Sequence, residues 1–376
     1  MKHITLILPI ILCGMCRQPE PLPTIHEIET VAIVGQTEVV QDLMQFVKSI
    51  ELIRLDSVIT VAGTNKIVRY RDRFITDALV EFDLTGKMVK KYGKLGRGPG
   101  EYLHIIDYCI DFDERELLCL NHQNEILRYS LEDGAYKGTI KTGLRGMTAK
   151  AVFPLSKDKV ALFVPNPPTA DLRKLDKPFY CLKMYNSKGE LIGEDLPRED
   201  FNISLFRVPS TQISNNRYTL SFTPGSGSSF LFDRTGYAPR FFLDLGEKSL
   251  PEKYAFRQGN NPWDAVEDIF EQDYLKCPAA LCPSESWTYG AVFGEASSVW
   301  NYLIPASGRK GIRWQSVGGM NPPMIGLASD EEAVYFCYSE SFGKTDDPLA
   351  ELIIKEAGDS LSGSDNPIIA KVSFIF

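Results

Sequence analysis

The side chains able to do chemistry are few where metals are concerned and too many where carboxylates are. The sequence has four histidines. Three of them, His26, His104 and His122, fall beyond the first sixteen residues, too few for a histidine-based zinc or copper site. His122, in NHQNEI, has the setting of a turn residue. Beyond the same point lie six cysteines, Cys109, Cys119, Cys181, Cys277, Cys282 and Cys337, and no CxxC pair. Cys109 and Cys119 flank an expected turn at 113–115 and could face each other across a hairpin. Cys277 and Cys282 are close in one loop, and isolated thiols packed as small hydrophobes are the plainer reading. Carboxylates are numerous without a distinguishing pair: Asp111 and Asp113 are two apart on a strand, while Asp195, Glu199 and Asp200 share a loop. Neither the S-x-D-x-G-x-T-W box of sialidases nor a G-x-S-x-G nucleophile elbow occurs. The sequence therefore gives no catalytic residue, no metal ligands and no cofactor.

Residues suited to binding are more concentrated. Trp263, Trp287, Tyr289, Trp300, Tyr302 and Trp314 fall within about fifty residues, and rings of this kind stack on sugar faces or partner side chains. The same rings also serve as core between sheets. A second candidate is the glycine-rich stretch GKLGRGPGEY (93–102), where Arg97 and Tyr102 could project toward a ligand. A phosphate cradle would be expected to open a helix after a strand, whereas β-like sequence lies on both sides here. The expected ligand-binding set is thus Trp263, Trp287, Tyr289, Trp300 and Trp314, with Arg97 and Tyr102.

These residues must be positioned by a repeat. An alternating strand, a turn of the form Asp or Asn, two residues, Gly, and a second strand recur in 79–92, 126–140, 181–195 and 229–243, with a degenerate copy in 298–315. The turn glycines Gly86, Gly134, Gly189, Gly236 and Gly308 are 48, 55, 47 and 72 residues apart. All but the last interval match the size of a four-stranded propeller blade. The strand at 367–376 supplies a sixth unit, closing the ring against a strand from the other terminus, and 57–78 completes the first. The sequence predicts an all-β fold, a six-bladed β-propeller over 46–376. A helical insertion over 263–276 follows Asn261 and Pro262, with Asp264, Glu267, Asp268, Glu271 and Asp273 as its solvated face.

Composition agrees with this reading and limits the partners. A formal charge of −8 on 376 residues gives no surface to neutralise a row of phosphates. Five Lys or Arg over 87–97 read as a solvated hairpin. Residues 1–16, MKHITLILPIILCGMC, have signal-peptide anatomy, and no later window is long and apolar enough to cross a bilayer. Cys16, followed by RQPEPLPT, stands where a lipoprotein signal places its acylated cysteine. Lipidation, cleavage with release, and retention as an uncleaved anchor remain alternatives, and 17–45 is expected to be a tether.

GKLGRGPGEY (93–102), FFLDLGEKSLPEKY (241–254) and SDNPIIAKVSF (364–374) resemble segments of the six-bladed, NHL-like propeller lipoproteins of Bacteroidetes. The resemblance covers roughly 50–376 and implies a propeller fold and export, with no assigned activity. The expectation is an exported, non-catalytic binding or scaffold module of the cell envelope. Its partner would be a glycan, a peptide or an envelope protein, without nucleic acid, and it would meet the membrane only through a lipid anchor. The alternative is a propeller enzyme of lyase, lactonase or glycosidase type, with carboxylates around the channel.

Overall fold

The computed structural model describes residues 29–58, 61, 66–156, 158–168, 177–197, 210–214, 217–221, 228–233, 236–248, 278–294, 298–317, 324–339, 347–358 and 366–375. The alternation seen in the sequence folds into six antiparallel sheets. Blades 1 to 5 take their four strands from 67–91, 105–141, 151–197, 210–244 and 278–317. Blade 6 combines Gly326–Ser329, Ala333–Tyr338 and Ile368–Phe374 with Val47–Arg54 as its outer strand. One sheet built from both ends of the chain closes the ring, so no blade has to hold the circle together by face packing alone. The six-bladed propeller expected from the sequence is the fold observed.

The recurring sequence unit is the outer hairpin of blades 1 to 5. In blade 1 the Asp83 carboxylate accepts the N–H groups of Thr85 at 2.9 Å and Lys87 at 3.1 Å, an Asx turn that fixes the reversal. Gly86 follows with φ +86°. A Cβ there would lie 1.8 Å from the Arg54 carbonyl oxygen of blade 6, so only glycine fits both the conformation and the seam.

The chain before blade 1 is not a tether over its described part, which corrects the expectation for 17–45 from residue 29 onward. Glu29–Ala32 adds a parallel fifth strand to the rim of blade 4, and Thr37–Val39 does the same on blade 5. Val31, Ile33 and Leu43 are buried against the blades. Burial of these aliphatic residues outweighs the freedom of a linker. A helix at Pro348–Ala357, inside blade 6, was not foreseen. The Asp347 carboxylate caps it by accepting the Leu349 N–H at 2.8 Å, and Leu349, Ala350 and Ile353 are buried. The helix expected over 263–276 lies outside the described residues, as do Cys16 and Trp263.

The innermost strands of the blades converge on the axis, and polar side chains close it there. Lys66 donates to Asp107 Oδ1 at 2.6 Å and to Ser210 Oγ at 2.7 Å, while Asp107 Oδ2 accepts the Val152 N–H at 2.9 Å. One carboxylate thereby joins blades 1, 2, 3 and 4. Gln212 bridges the axis again, its amide pairing with both the N–H and the C=O of Arg69 at 2.6 and 3.0 Å. All four side chains of Lys66, Asp107, Ser210 and Gln212 are buried. A buried ion pair survives desolvation only when its remaining hydrogen-bond capacity is filled, as it is here.

Candidate binding groove over blade 2

Because strands within a blade are antiparallel, turns between strands 1 and 2 and between 3 and 4 open on one face of the ring. The 2–3 turns and the inter-blade crossings open on the other. The crossing from blade 1 to blade 2 is the glycine-rich stretch singled out above. Lys94–Leu95 and Glu101–Tyr102 pair in parallel, which draws the intervening residues into a closed loop. The Gly96 N–H bonds the Tyr102 carbonyl at 3.1 Å and the Glu101 N–H bonds the Gly98 carbonyl at 3.0 Å.

The loop fills its own cradle. Glu101 Oε2 accepts the Gly98 N–H at 2.7 Å, and Lys94 approaches Oε1 at 3.0 Å. The Gly98 N–H and then the Lys94 ammonium hold the Glu101 carboxyl below the usual carboxylate range. A side-chain carboxylate therefore occupies the backbone donors that a phosphate would otherwise use. Gly100, at φ +72°, admits the Tyr136 ring from the outer strand of blade 2; a Cβ at this position would stand 2.7 Å from Tyr136 Cγ. The Tyr129 hydroxyl donates to the Gly100 carbonyl at 3.0 Å. The loop is thus clamped at its base while Arg97, at its tip, stays exposed.

Facing the loop is the turn between the second and third strands of blade 2. Asn121 Oδ1 fixes that turn by accepting the N–H groups of Gln123 at 2.9 Å and Glu125 at 3.0 Å. The outer strand closes the third side with Tyr136, Thr139 and Lys141; the Tyr136 and Thr139 hydroxyls are 2.6 Å apart. Between them lies a groove of about 620 Å³, lined by Arg97, Tyr102, Leu103, His122, Gln123, Glu125 and Lys141 among others. Tyr102 forms part of its floor, and burial pushes the phenol up to about 12.

The structure separates the expected binding residues into two groups. Arg97 and Tyr102 are brought together at this groove, with Gln123, Tyr136 and Lys141, which sequence reasoning did not select. Of the aromatic set around blade 5, Trp287, Tyr289 and Trp314 are corrected to core. Tyr289 and Trp314 are fully buried in the seam between blades 5 and 6, and Trp287 is 6 % exposed there. The Tyr289 hydroxyl donates to Asn301 Oδ1 at 2.6 Å and accepts the Gly326 N–H at 2.7 Å, leaving its ring no face for a ligand. Trp300 is half-buried under the guanidinium of Arg313, 5.8 Å from the ring centre, and against the N-terminal strands. Trp287, Tyr289 and Trp314 are buried for one physical reason: two sheets packed face to face need large flat side chains to fill the widening gap between blades. Trp287 does contribute an edge to a second hollow of about 590 Å³ on the opposite face, with Lys48, Arg309, Glu331 and Glu332.

The thiols follow the same logic. Tyr108 lies opposite Cys119 and Cys109 opposite Leu118, so Cys109 and Cys119 point to opposite sides of one sheet. Both are free and buried, as is Cys282; Cys181 and Cys337 are also buried, and Cys277 lies outside the described residues. Among the described residues no group of three or more His, Cys, Asp or Glu could hold a metal ion, and no helix is long and apolar enough to cross a membrane.

Two solved structures similar to this chain come from Bacteroides species. A Bacteroides fragilis protein described as exported shares 12 % identity, with 93 % of this chain and all of that one aligned at a TM-score of 0.68. A DUF4221 family member from Bacteroides vulgatus shares 9 %, covering 88 % of this chain and 97 % of its own at a TM-score of 0.55. At these identities the likeness is one of fold. No curated protein matches. The family described as "6-bladed beta-propeller", DUF5128, matches residues 24–291, and with the blade arrangement above the chain belongs to that family.

Proposed function

We propose that the protein is an exported binding module that takes its ligand in the groove over blade 2. The observation that carries the reading is the clamped loop: a glycine-rich crossing whose own hydrogen bonds are satisfied internally, holding an exposed guanidinium above a polar and aromatic hollow. Preorganisation of this kind lowers the ordering cost of binding. The ring axis supports the same reading over an enzyme with converging channel carboxylates. Among the described residues the axial carboxylate Asp107 is consumed by Lys66, Ser210 and the Val152 N–H. Export rests on the leader-like residues 1–16 and accords with the description of the Bacteroides fragilis relative. Attachment through a lipid on Cys16 belongs to the same proposal.

A binding screen of the full chain against immobilised glycans and peptides tests the site. The expected result is a hit that weakens at least tenfold in Tyr136→Ala. A hit that survives Tyr136→Ala and Gln123→Ala unchanged would place the ligand elsewhere. Membrane fractionation of Cys16→Ala tests the anchor, since unchanged partitioning rules out lipid attachment at that residue.

A further inference from the structure

The chemistry of the groove is uneven in a way that selects a ligand class. Of the two carboxylates beside it, Glu101 is committed within the loop, while Glu125 has, among the described residues, only a long amide contact and stays open to a ligand. Glu101 is held by the Gly98 N–H and Lys94, and Glu125 lies directly across the strand pair from Lys141, with the Asn121 amide 3.4 Å away. Arg97 is exposed and has no carboxylate partner among the described residues. Arg97 is therefore an available cation at the rim of a hollow whose remaining polar groups, Gln123, Glu125 and Lys141, offer mixed donors and acceptors, with Tyr136 37 % exposed beside them.

Each part of this pattern points to a different part of one ligand. A guanidinium fork on a clamped loop suits a carboxylate or sulfate, which it can bind with two parallel hydrogen bonds. Closely spaced amide, carboxylate and ammonium groups suit vicinal hydroxyls, each of which donates and accepts. A half-exposed tyrosine offers an apolar edge to a sugar ring. A peptide would instead need deep apolar pockets for alternate side chains, or a free strand edge. Nucleic acid would need a row of cations tracking its phosphates, and the chain as a whole is acidic.

We infer that the groove over blade 2 binds an acidic saccharide, its carboxylate or sulfate on Arg97 and its hydroxyls on Gln123, Glu125 and Lys141. The inference rests on the reading of this groove as the ligand seat and adds the class of ligand. The test uses the full chain with short oligogalacturonates and short sulfated heparin oligosaccharides, each beside its carboxyl-reduced or desulfated counterpart. Wild type is expected to prefer one acidic series, with affinity falling as salt rises. Arg97→Gln is expected to lose about 10- to 100-fold for that series, the range of a charge-assisted hydrogen bond. It should leave the neutral counterpart unaffected, with an unchanged melting temperature because Arg97 is exposed. Which acidic series responds tells a carboxylate ligand from a sulfated one. Equal binding of acidic and neutral forms, both weakened by Gln123→Ala, would overturn the acidic class while leaving the groove as the seat. Binding indifferent to Arg97→Gln, Gln123→Ala and Tyr136→Ala together would overturn the groove itself. No binding to any of these saccharides, with peptide hits that Tyr136→Ala removes, would overturn the saccharide class.

Discussion

The seam between blades 5 and 6 and the rim of blade 2 use aromatic residues for opposite ends. At the seam Trp287, Tyr289 and Trp314 are nearly or wholly removed from water, and even the Tyr289 hydroxyl is spent on Asn301 and Gly326. At the rim Tyr136 holds a loop in place from one side and remains exposed on the other. The difference lies in what faces the ring. A sheet facing another sheet buries its rings, whereas a strand at the outer edge, with only a glycine-rich crossing above it, leaves part of the ring open. Aromatic density along the chain therefore marks where blades are glued, and a glycine-rich crossing beside one tyrosine marks where a surface is built.

The largest effects are expected at the seam. Trp314→Ala removes a fully buried indole from the cluster that includes Leu303, Val334 and Phe336, and should cost about 3–5 kcal/mol. Chemical denaturation measures it, and ligand binding by the surviving folded fraction should not change. A loss of binding without a loss of stability would return Trp314 to the ligand site and break the comparison. Tyr289→Phe keeps the ring and deletes the hydroxyl. It leaves the Gly326 N–H and the Asn301 oxygen buried without that partner, for a loss of about 1–3 kcal/mol. A cost below a few tenths would mean that water replaces the hydroxyl.

How much of this was readable follows from which interactions are local. The outer hairpins were legible because an Asp or Asn, a glycine and two alternating strands sit within fifteen residues, and Asp83 with Gly86 shows the turn doing what its sequence says. Ring closure was legible from the terminal strand at 367–376. The groove was only half legible. Arg97 and Tyr102 belong to one conspicuous motif, but Gln123 comes from the turn between the second and third strands and Tyr136 and Lys141 from the outer strand. Only strand register places them opposite the loop. The N-terminal strands were missed because the proline-rich character of 17–24 was extended to residue 45, although Val31, Ile33 and Leu43 are core-type residues. The helix at Pro348–Ala357 carried a readable signal in the Asp347 cap, the proline after it and Gly358 at its end. It was overlooked beside the more acidic stretch at 263–276.

At the rim the stability effects are smaller and the binding effects larger. Gly100→Ala places a methyl against the Tyr136 ring in a backbone conformation that L-residues adopt at a cost of about 1–2 kcal/mol. Calorimetry should show a modest fall in melting temperature, and saccharide binding should fall with it because the loop and Tyr136 move apart. Normal binding in a folded Gly100→Ala protein would show that the clamp is not needed, and the rim would then resemble the seam in being structural only.

The smallest effects separate the two regions by pH, because their titrating groups are shifted in opposite senses. At the seam, burial pushes the Cys282 thiol up to about 12. An unfolded thiol ionises near ~8.5, so the folded protein holds this proton more tightly. The resulting stability is complete below that value and drains away as pH rises toward 12. At the rim the shift is downward: Glu101 is held ionised by the Gly98 N–H and Lys94. Its contribution to loop order is complete above the free carboxyl value of ~4.3 and is lost as pH falls through the lowered one. Amide exchange of residues 94–102, corrected for the intrinsic pH dependence, should therefore accelerate only in acid, while the amides of Trp287–Phe293 lose protection only in alkali. Glu101→Gln should remove the acid response and Cys282→Ala should flatten part of the alkaline one. If residues 94–102 open in acid to the same extent in Glu101→Gln, the loop is held by Tyr136 and Tyr129 alone, and the carboxylate merely fills space that the backbone left open.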